Sequence, residues 1–332
     1  MPHLTDRAPS PKALRPGLST GLTTTVPREY VHRAAVSEVL LTGWEQAGPT
    51  GRHGTGPTPA GGDELPGFVV RAQWPRSHAL FVPDYGYQDP MLLIESVRQI
   101  GSLLAHAEFD VPFGHQFLMS DMSFDAEPAV LVADTVPTEV EMHTVCRDIV
   151  RRGRTLQEMR YDVTVLREGG ARATATAAFR CMRPDVYRRL RGERPTTTDR
   201  TPPPALDPSV VRCGSTRHVV LGAPEPGRRN LWELRVDVAH PTYFDHPVDH
   251  IPGMVLIEAA RQAAHAATGL PGALLLSLSS DFARYAEFDA PCWIEAETAP
   301  HGPGGELQVR VRGTQRGETV FTSELVLRPG VH

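Results

Sequence analysis

A nine-residue pattern occurs twice in this chain. Met91-Leu-Leu-Ile-Glu95-Ser-Val-Arg98-Gln99 reappears as Met254-Val-Leu-Ile-Glu258-Ala-Ala-Arg261-Gln262, identical at six of nine positions at a constant offset of 163 residues. A period that long is outside the range of stacked solenoid repeats, so the chain is one domain duplicated. Its 332 residues suffice for two such domains, each able to bury a core without staples. Composition marks the divisions. Residues 1–27, rich in Pro, Thr and Arg, are expected to be a disordered arm. Residues 28–184 and 209–332 are the two copies. Between them 185–208, which includes RPTTTDRTPPPALDP, reads as a linker. A further long loop is expected from Gly48 to Gly67.

Both copies of the pattern read as helices, predicted at 90–106 and 252–268. Pro90 and the Pro252-Gly253 pair stand at their N-terminal ends, where proline costs no hydrogen bond. Leu92, Leu93, Ile94, Val97, Ile100, Leu103 and Leu104 leave almost no polar face, which marks a buried helix. Period-2 alternation in Met159–Val165 and Leu307–Val311 predicts strands after each helix, followed by Ala171–Cys181 and Thr319–Leu327. Phe68–Trp74 and Leu231–Val238 are expected as strands before them. Each half is therefore strand, helix, then several antiparallel strands, an α+β unit.

One stripe interrupts the apolar helices. Glu258, Arg261, Gln262 and His265 fall at i, i+3, i+4 and i+7 and share a face, as do Glu95, Arg98, Gln99 and Ser102. Such a stripe is either a solvated face with an ordinary ion pair or a buried charged site where protonation is tuned for chemistry. Its recurrence on two apolar helices favours the second. Ahead of the second helix lies His240-Pro-Thr-Tyr243-Phe244-Asp245-His246-Pro-Val-Asp249-His250-Ile-Pro252-Gly253. A rigid capped loop is one reading. A metal site is not expected, because no further Cys or His spacing supports one. The first copy has His78 and Asp84 but lacks the Asp-His repeat, so two equal active sites are not expected. Gly253 leaves backbone room for a carbonyl to approach the helix N-terminus, where free N–H groups stabilise an oxyanion.

A net charge of −5 offers no basic excess for nucleic acid. The cations are nearly all arginine, Lys12 being the one lysine, which fits a GC-rich bacterial genome. Four scattered cysteines suggest neither disulfides nor zinc, and no signal peptide or membrane span is evident, so a cytoplasmic protein is expected.

His246-Pro-Val-Asp-His250-Ile-Pro-Gly253-Met-Val-Leu-Ile-Glu258-Ala-Ala-Arg261-Gln262 resembles the segment preceding and forming the buried helix of β-hydroxyacyl-ACP dehydratases, which are hot-dog proteins. With Val31-His-Arg33, Leu40-Leu-Thr-Gly-Trp44 and Gln73-Trp-Pro75, the chain over 28–330 is similar to the A-factor (γ-butyrolactone) synthase family of tandem hot-dog proteins. That resemblance implies a double hot-dog, two antiparallel sheets each wrapping a central helix and packed as a pseudo-dimer. It implies an acyltransferase that esterifies a β-ketoacyl thioester, carried on ACP or CoA, with dihydroxyacetone phosphate, early in the synthesis of γ-butyrolactone, butenolide or furan signals. No cofactor is implied, and a homodimer is a possible assembly. Carried over, Gly253 polarises the thioester, Glu258 or Glu95 acts as base, and Arg261, with Arg98, holds phosphate or the β-keto oxygen. Gln99, Gln262, Tyr243, Asp245, His246 and His250 are expected around the substrate. Aligned without gaps, Phe244 falls at the dehydratases' catalytic histidine, while one gap puts His246 or Tyr243 nearby, a misfit that argues against dehydration. A hot-dog thioesterase or dehydratase and a non-catalytic acyl-ligand binder are the rival readings.

Overall fold

The computed structural model describes residues 23–47, 65–168, 170–224, 227–270, 272–300 and 305–330. The arm expected at 1–27 therefore lies mostly outside the described residues, as does the loop expected between Gly48 and Gly67. The first half contains β1 (Leu41–Gln46), β2 (Gly67–Trp74), α1 (Met91–Ala107), β3 (Gln116–Ala126), β4 (Thr138–Arg152), β5 (Thr155–Leu166) and β6 (Arg172–Met182). A short helix, α2 (Pro184–Arg191), follows. The second half contains β7 (Leu231–Glu233), α3 (Gly253–Thr268), β8 (Leu274–Phe282), β9 (Cys292–Pro300), β10 (Leu307–Gln315) and β11 (Glu318–Arg328).

Both repeats are the central helices that the apolar pattern demands. Leu92, Leu93, Ile94, Val97, Ile100, Leu103 and Leu104 are at most 1% exposed, and each such side chain contributes roughly 1.5–3 kcal/mol. The strands alternate as a half-buried antiparallel sheet requires, with every second residue of β2, of β6 and of β5 from Met159 onward buried on the side of α1. Gly101 lets the sheet come close: a Cβ there would stand 2.6 Å from the Tyr161 hydroxyl, which donates to the Val97 carbonyl at 2.8 Å.

The two sheets expected from the resemblance are joined edge to edge. The order β1-β2-β4-β5-β6-β3-β8-β11-β10-β9-β7 forms one sheet of 11 strands. It reads alike outward from the seam, where β3 and β8 meet, flanked by β6 and β11, then β5 and β10, then β4 and β9, then β2 and β7. The antiparallel β3–β8 ladder, centred on Ser123 opposite Ser279, relates the halves by a pseudo-two-fold and completes the double hot-dog.

Two segments differ from the sequence reading. The strand expected over Leu231–Val238 stops at Glu233. Leu234 makes only an isolated bridge to Leu221, and the chain turns at Asp237, whose side chain accepts from the Ala239 amide at 3.0 Å. The segment between the halves is not bare coil. It begins within α2, whose Arg191 is only 9% exposed and is held by Glu287 and the Asp249 carbonyl.

Candidate active site

The polar stripes are buried clamps. Glu95 Oε1 accepts from Arg98 Nη2 and Gln99 Nε2, both at 2.7 Å, and from Arg33 Nε at 3.0 Å, while Oε2 accepts from Arg98 Nε at 2.9 Å. Gln99 ties down the strand entering the sheet, accepting from the Leu40 amide and donating to the Glu38 carbonyl. The second half repeats the pattern. Glu258 accepts from Arg261 and Gln262, and Gln262 holds the Val220 amide and the His218 carbonyl. This joint is what the duplicated Glu-x-x-Arg-Gln encodes. Glu95, Glu258, Gln99 and Gln262 are each at most 1% exposed. Burial alone would raise the Glu95 carboxyl, but Arg33, Arg98 and Gln99 outweigh it and hold it down at about 2.

These carboxylates therefore differ from the expected general bases. Both oxygens of each already accept hydrogen bonds, and neither side chain borders open space. Arg261 is also turned away, toward Glu258 and, at 3.5 Å, Asp89.

Open space lies elsewhere, in a cavity of about 940 Å³ at the junction of the halves. Six of the residues expected from sequence line it: Arg98, Tyr243, Asp245, His246, His250 and Gly253. Glu95, Gln99, Glu258, Arg261 and Gln262 do not. Arg98 Nη1 makes no hydrogen bond among the described residues, so the guanidinium has donors left for a ligand. Asp245 accepts from the Ala34 and Ala35 amides and so ties the second half's loop to the first half. His246 stands beside it, Nδ1 3.7 Å from the carboxylate. The Tyr243 hydroxyl is committed to the His218 carbonyl at 3.2 Å, and its ring stacks on His240. Farther in, the walls are Gly101, Phe117, Tyr161, Ala177 and Phe179, a surface suited to an apolar chain. The sequence reading passes over Arg33 and Asp249, which also line this space, and over Tyr187 in the supposed linker. For Arg33 the signal was available in the Val31-His-Arg33 motif.

The pseudo-two-fold relates the start of α3 to the loop before α1, and the residues at the two places differ. At the offset that matches the helices, Pro90 stands where α3 has Gly253 and therefore has no N–H to offer. The next amide, of Met91, is capped by Asp89 Oδ1 at 2.9 Å. At the start of α3 the corresponding residue is Pro252, which has no side chain able to cap, and neither Gly253 N–H nor Met254 N–H has an acceptor among the described residues. Arg212, the counterpart of His32 (both with positive φ, 58° and 52°), reaches across to Asp84 and covers the Tyr85 ring. One helix N-terminus thus has uncapped donors at the cavity, and its pseudo-symmetric counterpart is capped.

Among the described residues no cluster suited to a metal ion occurs, and no helix is long and apolar enough to cross a membrane.

Comparison with known proteins supplies the family context. Residues 16–183 and 195–329 match the model of the A-factor biosynthesis hotdog domain. The chain is 48% identical over 302 residues to 2-oxo-3-(phosphooxy)propyl 3-oxoalkanoate synthase of Streptomyces virginiae, covering 91% of this chain and 97% of that protein. It is 39% identical to the protein of the same name from Streptomyces coelicolor, covering 90% of each. Among solved structures it is similar to the 12:0-ACP thioesterase from Umbellularia californica, with TM-score 0.48 and 12% identity over 79% of this chain and 94% of that one.

Proposed function

This chain belongs to the A-factor biosynthesis hotdog family, and from that premise we propose that it is an acyltransferase condensing a β-ketoacyl thioester with dihydroxyacetone phosphate, early in the synthesis of γ-butyrolactone-type signals. The product named for its relatives divides that way: the 2-oxo-3-(phosphooxy)propyl group is the alcohol part of an ester and the 3-oxoalkanoate its acid part. The observation that carries the reading is the uncapped N-terminus of α3 opening into the same cavity as Arg98. The thioester carbonyl sits at the Gly253 amide, where the helix dipole and a fixed N–H favour the oxyanion that forms on attack. Arg98, with Arg33 behind it, supplies positive charge for the phosphate or the β-keto oxygen. Two guanidiniums share one carboxylate there, which leaves a net positive charge for an anionic ligand. The acyl chain lies along α1 toward Gly101, Phe117 and Phe179.

Attack by the acceptor hydroxyl makes the C–O bond, collapse of the oxyanion breaks the C–S bond, and the thiol leaves. Acyl transfer from a thioester needs no cofactor. Purified protein incubated with a β-ketoacyl thioester should release thiol only when dihydroxyacetone phosphate is present, and mass spectrometry should find the phosphorylated ester. Equal thiol release in its absence, with free β-keto acid as product, would establish a thioesterase instead.

A further inference from the structure

We infer that His250 is the general base of this site, oriented by Asp249, and that the interdomain helix α2 holds Asp249 in place. The inference rests on the acyl-transfer reading above and adds to it the group that takes the proton. His250 Nδ1 lies 2.7 Å from Asp249 Oδ1. A carboxylate only accepts, so Nδ1 carries the hydrogen and the lone pair is on Nε2. Nε2 has no hydrogen-bond partner among the described residues, and His250 lines the cavity three positions before Gly253. The base and the oxyanion donors are thus presented by one short segment.

The other titratable groups around the cavity lack this combination. His32 Nε2 is bonded to His106 Nε2 at 2.7 Å. The His246–Asp245 separation of 3.7 Å is too long to fix a tautomer. Neither ring nitrogen of His115 has a partner to set one. Glu95 and Glu258 are sealed in their clamps.

Asp249 is held from α2. The Tyr187 hydroxyl donates to Asp249 Oδ1 at 2.7 Å, Arg191 Nη2 donates to the Asp249 carbonyl at 3.1 Å, and Arg191 Nε lies 3.5 Å from Oδ2. Arg191 is fixed in turn by Glu287 and by the Tyr285 ring, 3.9 Å below its guanidinium. That same ring meets the His250 imidazole edge to face at 4.8 Å. Asp249, Tyr187, Arg191, Tyr285 and Glu287 are therefore the charged and titratable groups around His250. Tyr187 and Arg191 are positioning residues, contributed by the segment that joins the duplicated halves.

In the step itself, His250 Nε2 takes the proton of the acceptor hydroxyl as its oxygen attacks the thioester carbon. The resulting imidazolium, stabilised by Asp249, returns that proton to the departing thiolate. One ester bond forms, one thioester bond breaks, and the base is regenerated.

The test uses the full chain, a β-ketoacyl thioester and dihydroxyacetone phosphate, with melting temperature measured on the same samples. His250→Gln should lower kcat by about 10²–10⁴-fold without loss of fold. Asp249→Asn can meet Nδ1 as a donor as well as an acceptor and so releases the tautomer, and kcat should fall on the same scale with KM unchanged. Tyr187→Phe should lower kcat with KM unchanged. A His250→Gln protein that makes ester at the wild-type rate would overturn the inference, as would an undiminished kcat in Asp249→Asn. Wild-type protein that forms no ester at all would instead remove the acyl-transfer reading on which it stands.

Discussion

Replacing Gly253 by proline should reduce turnover by about 10²–10³-fold, the usual loss for one oxyanion donor, while the melting temperature stays within a few degrees. Proline is welcome at the first position of a helix, where its missing N–H leaves no intrahelical bond unmade. The first half already demonstrates this, with Pro90 at the matching position ahead of a well-formed α1. Residue 252 has φ −60° and ψ 145°, the extended conformation that a following proline requires. A Cβ on residue 253 would stand 3.4 Å from the Phe282 ring, an ordinary contact. The substitution therefore removes the donor and little else. Turnover at saturating thioester and acceptor, measured beside thermal unfolding, separates the two effects. Activity within threefold of wild type would remove the Gly253 amide from the mechanism.

Glu95→Ala should act in the opposite way, on stability first. It leaves Arg33 and Arg98, whose side chains are only 9% and 17% exposed, without their shared counter-ion. Breaking a buried pair by removing one partner costs about 3–5 kcal/mol, which lowers the melting temperature by something on the order of 10 °C. The damage reaches both halves, because Arg33 also donates from Nη1 to the Thr242 carbonyl at 3.2 Å, across the junction. Glu258→Ala should be milder, since Arg261 keeps Asp89 at 3.5 Å. Calorimetry of the two variants decides the matter. Equal and small shifts would mean that the stripe is not the joint described above.

The duplication, both central helices and the strands β5, β6, β10 and β11 were legible because their signals are local: repeated identities, an apolar helix, period-2 alternation. The seam was not. β3 and β8 interleave Ser120, Asp121, Ser123 and Asp125 with Ser277, Ser279 and Ser280, and their pairing joins segments about 150 residues apart. No local pattern announces such a contact. The Glu-x-x-Arg-Gln stripe was visible as a stripe, but its task depends on the Leu40 and Val220 amides facing Gln99 and Gln262. The asymmetry between the two helix starts was written in one pair of residues, Pro90 against Gly253, whose meaning emerges once each is seen to open a helix. Tyr187 and Arg191 lay in a stretch whose proline-rich remainder disguised a buried helix end.

The central claim is that a two-fold fold carries one working site, at the α3 N-terminus facing α1. Calorimetric titration of the full chain with a non-transferable β-ketoacyl thioester analogue tests it most directly. We expect one molecule bound per chain, with affinity sharply reduced by Gly253→Pro and unchanged by Pro90→Gly. Two molecules per chain, or an affinity that depends on Pro90 rather than Gly253, would contradict the account.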